Sequence, residues 1–142
     1  MALPDDPFWR EFIAALPAKT AKFASVAADG SPRVTPIWAV LDGDDVVFTT
    51  HETSAKAKAI KRDRRVAMCF DDERPPFSYV IVHGEATLSD DLDELRRWAT
   101  VLGGRYMGAD RAEEYGVRNG VPGELVVRVS LTKVLSVRDI AE

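Results

Sequence analysis

The chain has 142 residues, enough for one domain with a full hydrophobic core, and we expect a single domain over residues 1–142. An apolar content of 46% and a charged content of 30% are ordinary for a soluble globular protein, and a net charge of −4 argues against bulk attraction to nucleic acid or to an anionic membrane. The single cysteine, Cys69, excludes an internal disulfide. Because the sequence has no signal-peptide core and no membrane-length apolar run, we expect a cytoplasmic protein.

The first half of the chain predicts a short helix followed by an antiparallel meander. Asp6 can cap a helix over 6–16, and Pro17 ends it. Strands are predicted at 22–27, 33–41 and 45–50. The Asp-Gly pair at 42–43 lies between the last two, and such a pair between β runs is a strong hairpin signal.

The second half alternates helices and strands in a way that favours a small barrel. A helix follows Thr53 and Ser54. A buried strand is predicted at 65–70, then a polar loop at 71–76 and a strand at 77–88 with a bulge or bend at Gly84. A helix is predicted at 90–102, capped by Ser89 and stopped by Gly103-Gly104. A short helix at 106–115, a loop at 116–123 and a closing strand at 124–137 complete the predicted elements. Six or so antiparallel strands with few helices predict a mainly β fold, and closure into a β-barrel removes exposed strand edges.

The start of the lysine-rich helix is the best candidate for a binding site. Between residues 51 and 65 there are six basic residues and only two acids. With Thr53 as the cap, the third helical position is Lys56, where a capping box would place Glu or Gln. A cation at this positive end is unfavourable unless an anion binds there, and Thr49, Thr50 and Ser54 add hydroxyl groups. The pattern indicates a phosphate pocket; the alternatives are a solvated lysine face or a local counter-ion from Glu52.

A family resemblance covers roughly residues 20–137. The ordered segments GSPRVTPIW, DGD, VFTT, SAKAKAIKRDRRVA, YVIVHGEATL and VVRVSLTKV resemble the split β-barrel, flavin-binding family of pyridoxamine 5′-phosphate oxidase. Within it, the chain is most similar to the branch of small oxidoreductases that use the deazaflavin coenzyme F420. The resemblance implies an FMN-binding-like split barrel and a homodimer with two cofactor sites between its subunits.

The resemblance also implies which residues contact the cofactor. The phosphate would lie against Arg33 or its neighbour, Thr50, Ser54, Lys56 and Lys58, with Thr49 nearby. The tricyclic ring would lie along Thr35, Pro36, Ile37 and Trp38, and the lysine-rich run Lys58, Lys61 and Arg62 would follow the acidic tail of F420. Oxidation of pyridoxamine phosphate is not expected, because the oxidases typically have lysine at the position of Trp38 and arginine at that of Ala55, and this chain lacks their C-terminal substrate motif.

Four functions follow as hypotheses. The first is an F420-dependent oxidoreductase that transfers hydride from the reduced deazaflavin to an electron-poor small molecule. The second keeps the fold and uses FMN, the third is a non-catalytic carrier of F420 or flavin, and the fourth is a β-barrel interaction module. We assign no catalytic side chain. His51 and His83 have no ligand cluster around them, so we predict no metal site, and Cys69 is expected to be a buried core thiol.

Overall fold

The structure, a computed structural model, describes residues 2–142. Four α-helices are formed: α1 (Phe8–Ala14), α2 (Ala55–Arg62), α3 (Leu92–Met107) and α4 (Ala112–Asn119), with a 3₁₀ turn at Ala109–Arg111 between the last two. Seven strands make up the rest of the regular structure: β1 (Ala21–Val26), β2 (Pro32–Ile37), β3 (Val40–Asp42), β4 (Asp45–His51), β5 (Arg65–Asp71), β6 (Tyr79–Ser89) and β7 (Glu124–Val137).

The seven strands form one antiparallel sheet in the order β2-β1-β5-β6-β7-β4-β3. Its two edge strands, β2 and β3, are consecutive in the chain and are joined only by Trp38 and Ala39. The sheet therefore bends round until its edges meet at this corner, although β2 and β3 do not pair within the described residues. The prediction of a mainly β split barrel is confirmed.

The predicted meander is wrong at this corner. The run 33–41 is not one strand, because β2 pairs with β1 as far as Ile37 whereas β3 pairs with β4 from Val40 onward. These two partners lie at opposite ends of the sheet order. The two halves of an apparently continuous β run thus belong to opposite edges, and β2 is not a neighbour of β4.

The barrel core is built from the inward rows of the strands and from α1. Phe23, Phe48 and Phe70 are almost completely buried there, and Trp9 and Ile13 of α1 pack into the same cluster. Side chains alternate between the faces of a strand, so the residues between the core positions face outward. Cys69, between Met68 and Phe70, is only half-buried, and the prediction of a core thiol is wrong. Burial nevertheless raises the pKa of its thiol.

The boundaries of the later helices also differ from the predictions. Helix α3 does not end at Gly103-Gly104 but continues to Met107, and its cap is Asp91, whose side chain accepts a hydrogen bond from the Glu94 N–H. Gly103 is buried against Tyr115 of α4, where a Cβ would overlap the tyrosine, so close helix packing explains the glycine. Tyr106 accordingly belongs to α3.

Two further predictions in this part of the chain have opposite outcomes. Helix α4 starts at Ala112 and occupies much of the predicted 116–123 loop. The predicted irregularity at Gly84 is confirmed, because the β6–β7 register shifts between His83 and Gly84.

Candidate functional site

The corner between β2 and β3 is held in place by the end of α3. The Tyr106 hydroxyl accepts a hydrogen bond from the Ala39 N–H at 3.0 Å and lies 2.6 Å from the Lys19 carbonyl oxygen and 3.0 Å from that of Ala39. The Arg105 guanidinium donates to the Ala39 carbonyl and to the carbonyl groups of Ile13 and Ala14 at the end of α1. Two adjacent residues of α3 therefore fix the backbone at which the barrel closes.

Trp38 points from this corner into an aromatic group. Its indole stacks on the Tyr106 ring with a centroid distance of 5.3 Å and an interplanar angle of 3°, and Tyr115 meets it at 65° with a centroid distance of 5.7 Å. Stacked and edge-on contacts of this kind stabilise a fixed relative orientation of aromatic rings. Trp38 remains half-buried, so part of the oriented indole is still open to a ligand.

The second wall of the site is the start of α2. Ser54 is the cap: its hydroxyl accepts the Ala57 N–H at 3.1 Å and lies 2.8 Å from the Thr50 hydroxyl at the end of β4. The other candidate cap, Thr53, instead bonds through its hydroxyl to His51 Nδ1 at 2.8 Å. With Ser54 as the cap, Lys56 is the second helical residue and lies within the first turn, whose N–H groups carry partial positive charge.

Lys56 lies on the inward face of α2. It precedes the buried Ile60 by four residues, which places both side chains on one face of the helix, and Lys56 itself is half-buried. None of the salt bridges within residues 2–142 involves it. Neither acid near α2 pairs with Lys56. Asp63 pairs with Arg65, which lowers the pKa of that carboxyl to about 2, and Glu52 lines a different groove together with Lys61.

These two walls enclose a cleft of about 230 Å³. Its polar lining residues are one lysine, two threonines and one asparagine, and its remaining lining is apolar; the residues are Pro36, Ile37, Trp38, Thr49, Thr50, Lys56, Ala99, Leu102 and Asn119. A cationic end with hydroxyl donors next to an aromatic and aliphatic wall suits a ligand that carries an anion at one end and a flat apolar group at the other.

The cleft brings together six of the ten residues that the sequence analysis assigned to the cofactor. The four others lie outside its lining. Ser54 uses its hydroxyl to cap α2, Thr35 has a buried hydroxyl with no partner within the described residues, and Arg33 and Lys58 are exposed. Lys58 is two residues from Lys56, and residues at that spacing face different sides of a helix.

Three lining residues were not assigned to the site from the sequence. Ala99 and Leu102 lie within the predicted helix at 90–102, and Asn119 lies within the predicted loop at 116–123. Their approach to Trp38 depends on the packing of α3 and α4 against the barrel, and no local sequence signal indicates it. Asn119 lies in the last turn of α4.

The basic residues of α2 are divided between its two flanks. The Arg62 guanidinium donates to the Val26 carbonyl at the end of β1, on one side of the helix. Lys61 lies on the other side, where it lines grooves with Leu88 of β6 and with Glu52. The predicted run Lys58, Lys61 and Arg62 is therefore not one continuous track.

Within residues 2–142, no three His, Cys, Asp or Glu side chains are close enough together to hold a metal ion. In that part of the chain, none of the helices combines the length and the apolar character that crossing a membrane requires.

Comparisons with known proteins agree on one fold. A family model described as pyridoxamine 5′-phosphate oxidase matches residues 6–138, whereas no curated protein matches the sequence. A solved F420 reductase is 26% identical, with a TM-score of 0.66 over 82% of this chain and 89% of the reductase. A conserved hypothetical protein of Mycobacterium tuberculosis is 22% identical, with a TM-score of 0.78 over 94% of this chain and 84% of that protein. HutZ, the heme storage protein of Vibrio cholerae, is 15% identical, with a TM-score of 0.69 over 92% of this chain and 92% of HutZ.

Proposed function

Since the chain belongs to the pyridoxamine 5′-phosphate oxidase family, we propose that it is a cytoplasmic oxidoreductase that binds coenzyme F420 and reduces an electron-poor small molecule. The observation that carries the proposal is Lys56, a half-buried lysine at the first turn of α2 that has no acidic partner within residues 2–142. A cation without a counter-ion at the positive end of a helix is unfavourable unless an anion binds there. The fold and the 26%-identical F420 reductase support the choice of ligand class.

The donor set fits the phosphate that FMN and F420 both carry on a ribityl chain. Lys56 supplies the charge, and Thr49 and Thr50 add hydroxyl donors beside it. Charge-assisted hydrogen bonds to phosphate are about twice as strong as neutral ones, so this end of the cleft would anchor the cofactor. Ser54 would act indirectly, since its hydroxyl fixes both the Thr50 side chain and the start of the helix.

The other end of the cleft would hold the ring. Trp38 offers an oriented aromatic surface. Within residues 2–142, β2 pairs with β1 alone, so backbone groups along its open edge can bond a ligand. The bound cofactor would supply the hydride for reduction of the acceptor. The protein would bind and orient the two molecules and exclude water, and no side chain in the cleft is required as an acid or base.

F420 rather than FMN is favoured by the cations outside the cleft. Lys58 and Arg62 are four residues apart on the exposed side of α2, and Arg62 reaches the hairpin that carries Arg33. An acidic tail that leaves the cleft on this side would meet these positive charges. Lys61 lies on the other flank of the helix, so it is not part of the proposed tail contact.

We also propose that two copies of the chain form the complete site. A cleft of about 230 Å³ is smaller than the roughly 300–1,000 Å³ of pockets that enclose a whole drug-sized ligand. The sheet formed by β2, β1, β5, β6 and β7 exposes apolar side chains on its outward face; Val34 is 68% exposed and Leu135 48% exposed. Such a face suits a second copy of the same surface.

The homodimer can be tested at Leu135. Leu135→Glu introduces a charge in the row that contains Cys69 and Ile81, and we expect a monomer by sedimentation together with weaker cofactor binding. Val117→Glu makes the same change at a residue of similar exposure on α4 and should leave the dimer intact. A wild-type chain that sediments as a monomer would refute this arrangement.

The cofactor can be identified by titrating the wild-type protein with F420 and with FMN while following tryptophan fluorescence. Binding in the cleft should change the fluorescence of Trp38. Tighter binding of F420 than of FMN, together with oxidation of reduced F420 by enone or quinone acceptors, is the expected result. Tighter binding of FMN would assign the chain to the FMN-dependent enzymes. Tight binding of F420 without turnover by any acceptor would indicate a carrier, and binding of neither would refute the proposal.

A further inference from the structure

The only carboxamide side chain of the protein lies in the cleft. The sequence contains one asparagine, Asn119, and no glutamine, and Asn119 lines the cleft from the end of α4. Neutral polar side chains of this type both donate and accept hydrogen bonds. Asn119 therefore differs from Lys56, which can only donate, and from the two threonines, whose hydroxyl groups donate and accept through a single oxygen atom.

The position of Asn119 is set by unusually close helix packing. Gly103 of α3 and Gly116 of α4 approach the opposite helix so closely that a Cβ on either would overlap Tyr115 or Thr100. Gly120, directly after Asn119, lies against the backbone of Arg96. These contacts bring the last turn of α4 to the wall formed by Ala99 and Leu102.

A structural role does not account for the Asn119 amide. Helix α4 ends with a hydrogen bond from the Gly120 N–H to the Gly116 carbonyl, which uses backbone atoms only. The neighbouring Arg118 side chain lies over the Tyr115 ring. Within residues 2–142 the side-chain hydrogen bonds do not include one to the amide, so its donors and its acceptor are available to a ligand.

We propose that Asn119 is a ligand-binding residue that bonds the uncharged hydroxyl groups between the anion and the ring of the cofactor. This inference rests on the proposed function. A phosphate accepts from the amide N–H groups but offers no donor to the amide oxygen, whereas neighbouring hydroxyl groups can bond both ends of the amide. Lys56 and the threonines already supply donors for the anion. Asn119 thus distinguishes a cofactor with a polyol chain from a simple anionic ligand.

The test uses pairs of ligands in which both members carry the ribityl chain and only one carries the phosphate. FMN is compared with riboflavin, and F420 with its phosphate-free ribityl deazaflavin core, by fluorescence titration of the whole protein. Asn119→Ala should weaken both members of a pair by the same factor, about 5- to 20-fold, because the hydroxyl chain is common to both. Lys56→Ala should weaken only the phosphate-bearing member.

Two additional variants separate binding from folding. Val117→Ala alters an exposed residue of the same helix and should leave all affinities unchanged. Asn119→Asp keeps the shape of the side chain but loses its N–H donors, so it should also weaken the phosphate-free ligands. A melting temperature within a few degrees of wild type qualifies each variant for the comparison.

The outcomes distinguish this inference from the proposed function. If Asn119→Ala leaves both ligands unaffected while Lys56→Ala weakens the phosphate-bearing one, the proposed function stands and the role of Asn119 is refuted. If Asn119→Ala weakens only the phosphate-bearing ligand, Asn119 contacts the anion and the inference is also refuted. If the wild-type protein binds none of the four ligands, both proposals are refuted.

Discussion

Replacing Tyr106 by phenylalanine tests whether α3 holds the corner at which the barrel closes. The change removes one hydroxyl and keeps the ring, so the stacking on Trp38 is retained. The hydroxyl accepts from the Ala39 N–H and has one proton to donate, either to Lys19 or to Ala39. Ala39 is completely buried, so its N–H cannot turn to water instead.

The expected loss follows from these contacts. A net hydrogen bond contributes about 1 kcal/mol, and a buried N–H left without a partner costs about 1–3 kcal/mol. We therefore expect Tyr106→Phe to lower the free energy of unfolding by about 2–4 kcal/mol. Each kcal/mol corresponds to about 2–4 °C in melting temperature for a chain of roughly this size, so the variant should melt about 5–15 °C lower.

Urea unfolding followed by tryptophan fluorescence, with thermal melts at the same protein concentration, measures both quantities. Tyr115→Phe is the matched control, because it removes a hydroxyl from another ring beside Trp38 that bonds no backbone group within the described residues. Tyr115→Phe should lower the free energy of unfolding by less than about 0.5 kcal/mol, as is usual for substitutions away from buried polar networks. Equal effects of the two substitutions would refute the role of Tyr106.

Two other predictions concern helix packing and pH. Gly103→Ala should lower the free energy of unfolding in urea by about 1–3 kcal/mol, because the new Cβ would overlap Tyr115. Gly104→Ala is the control and should cost clearly less, since its nearest contact is at 3.1 Å. Equal costs of the two substitutions would contradict the packing argument. The pKa of Asp63 is lowered from an ordinary 3.8 to about 2 by Arg65, so its contribution to stability is present above pH 4 and is lost as the pH falls through 2. The urea midpoint should therefore fall less between pH 4 and pH 2 in Asp63→Asn than in the wild type, and parallel falls would show that the Asp63–Arg65 pair does not contribute.

The features predicted correctly are those with local causes. An Asp-Gly pair fixes the turn before β4, and hydroxyl side chains followed by lysines mark the start of α2. The helical period also limits which lysine can enter the cleft. Lys56 and Lys58 are two residues apart and cannot share a face of the helix. The sequence itself therefore argues that only one of these two lysines can contact the phosphate.

The features that were missed depend on contacts distant in the chain. Strand propensity runs unbroken through Trp38, and only the pairing of β2 with β1 and of β3 with β4 divides it. Gly103 looks like a helix stop until Tyr115 is placed against it. For the same reason Asn119 could not be assigned to the cleft before the packing of α3 and α4 was known.

The central claim is that Lys56 binds the phosphate of a cofactor, and one comparison tests it most directly. Wild type, Lys56→Ala and Lys61→Ala are titrated with F420 and FMN; both variants lose one positive charge from α2, but only Lys56 lines the cleft. We expect Lys56→Ala to weaken binding of the phosphate-bearing cofactor by about 1–3 kcal/mol, roughly 5- to 150-fold in Kd, with Lys61→Ala close to wild type. Unchanged affinity in Lys56→Ala, or equal losses in both variants, would contradict the account.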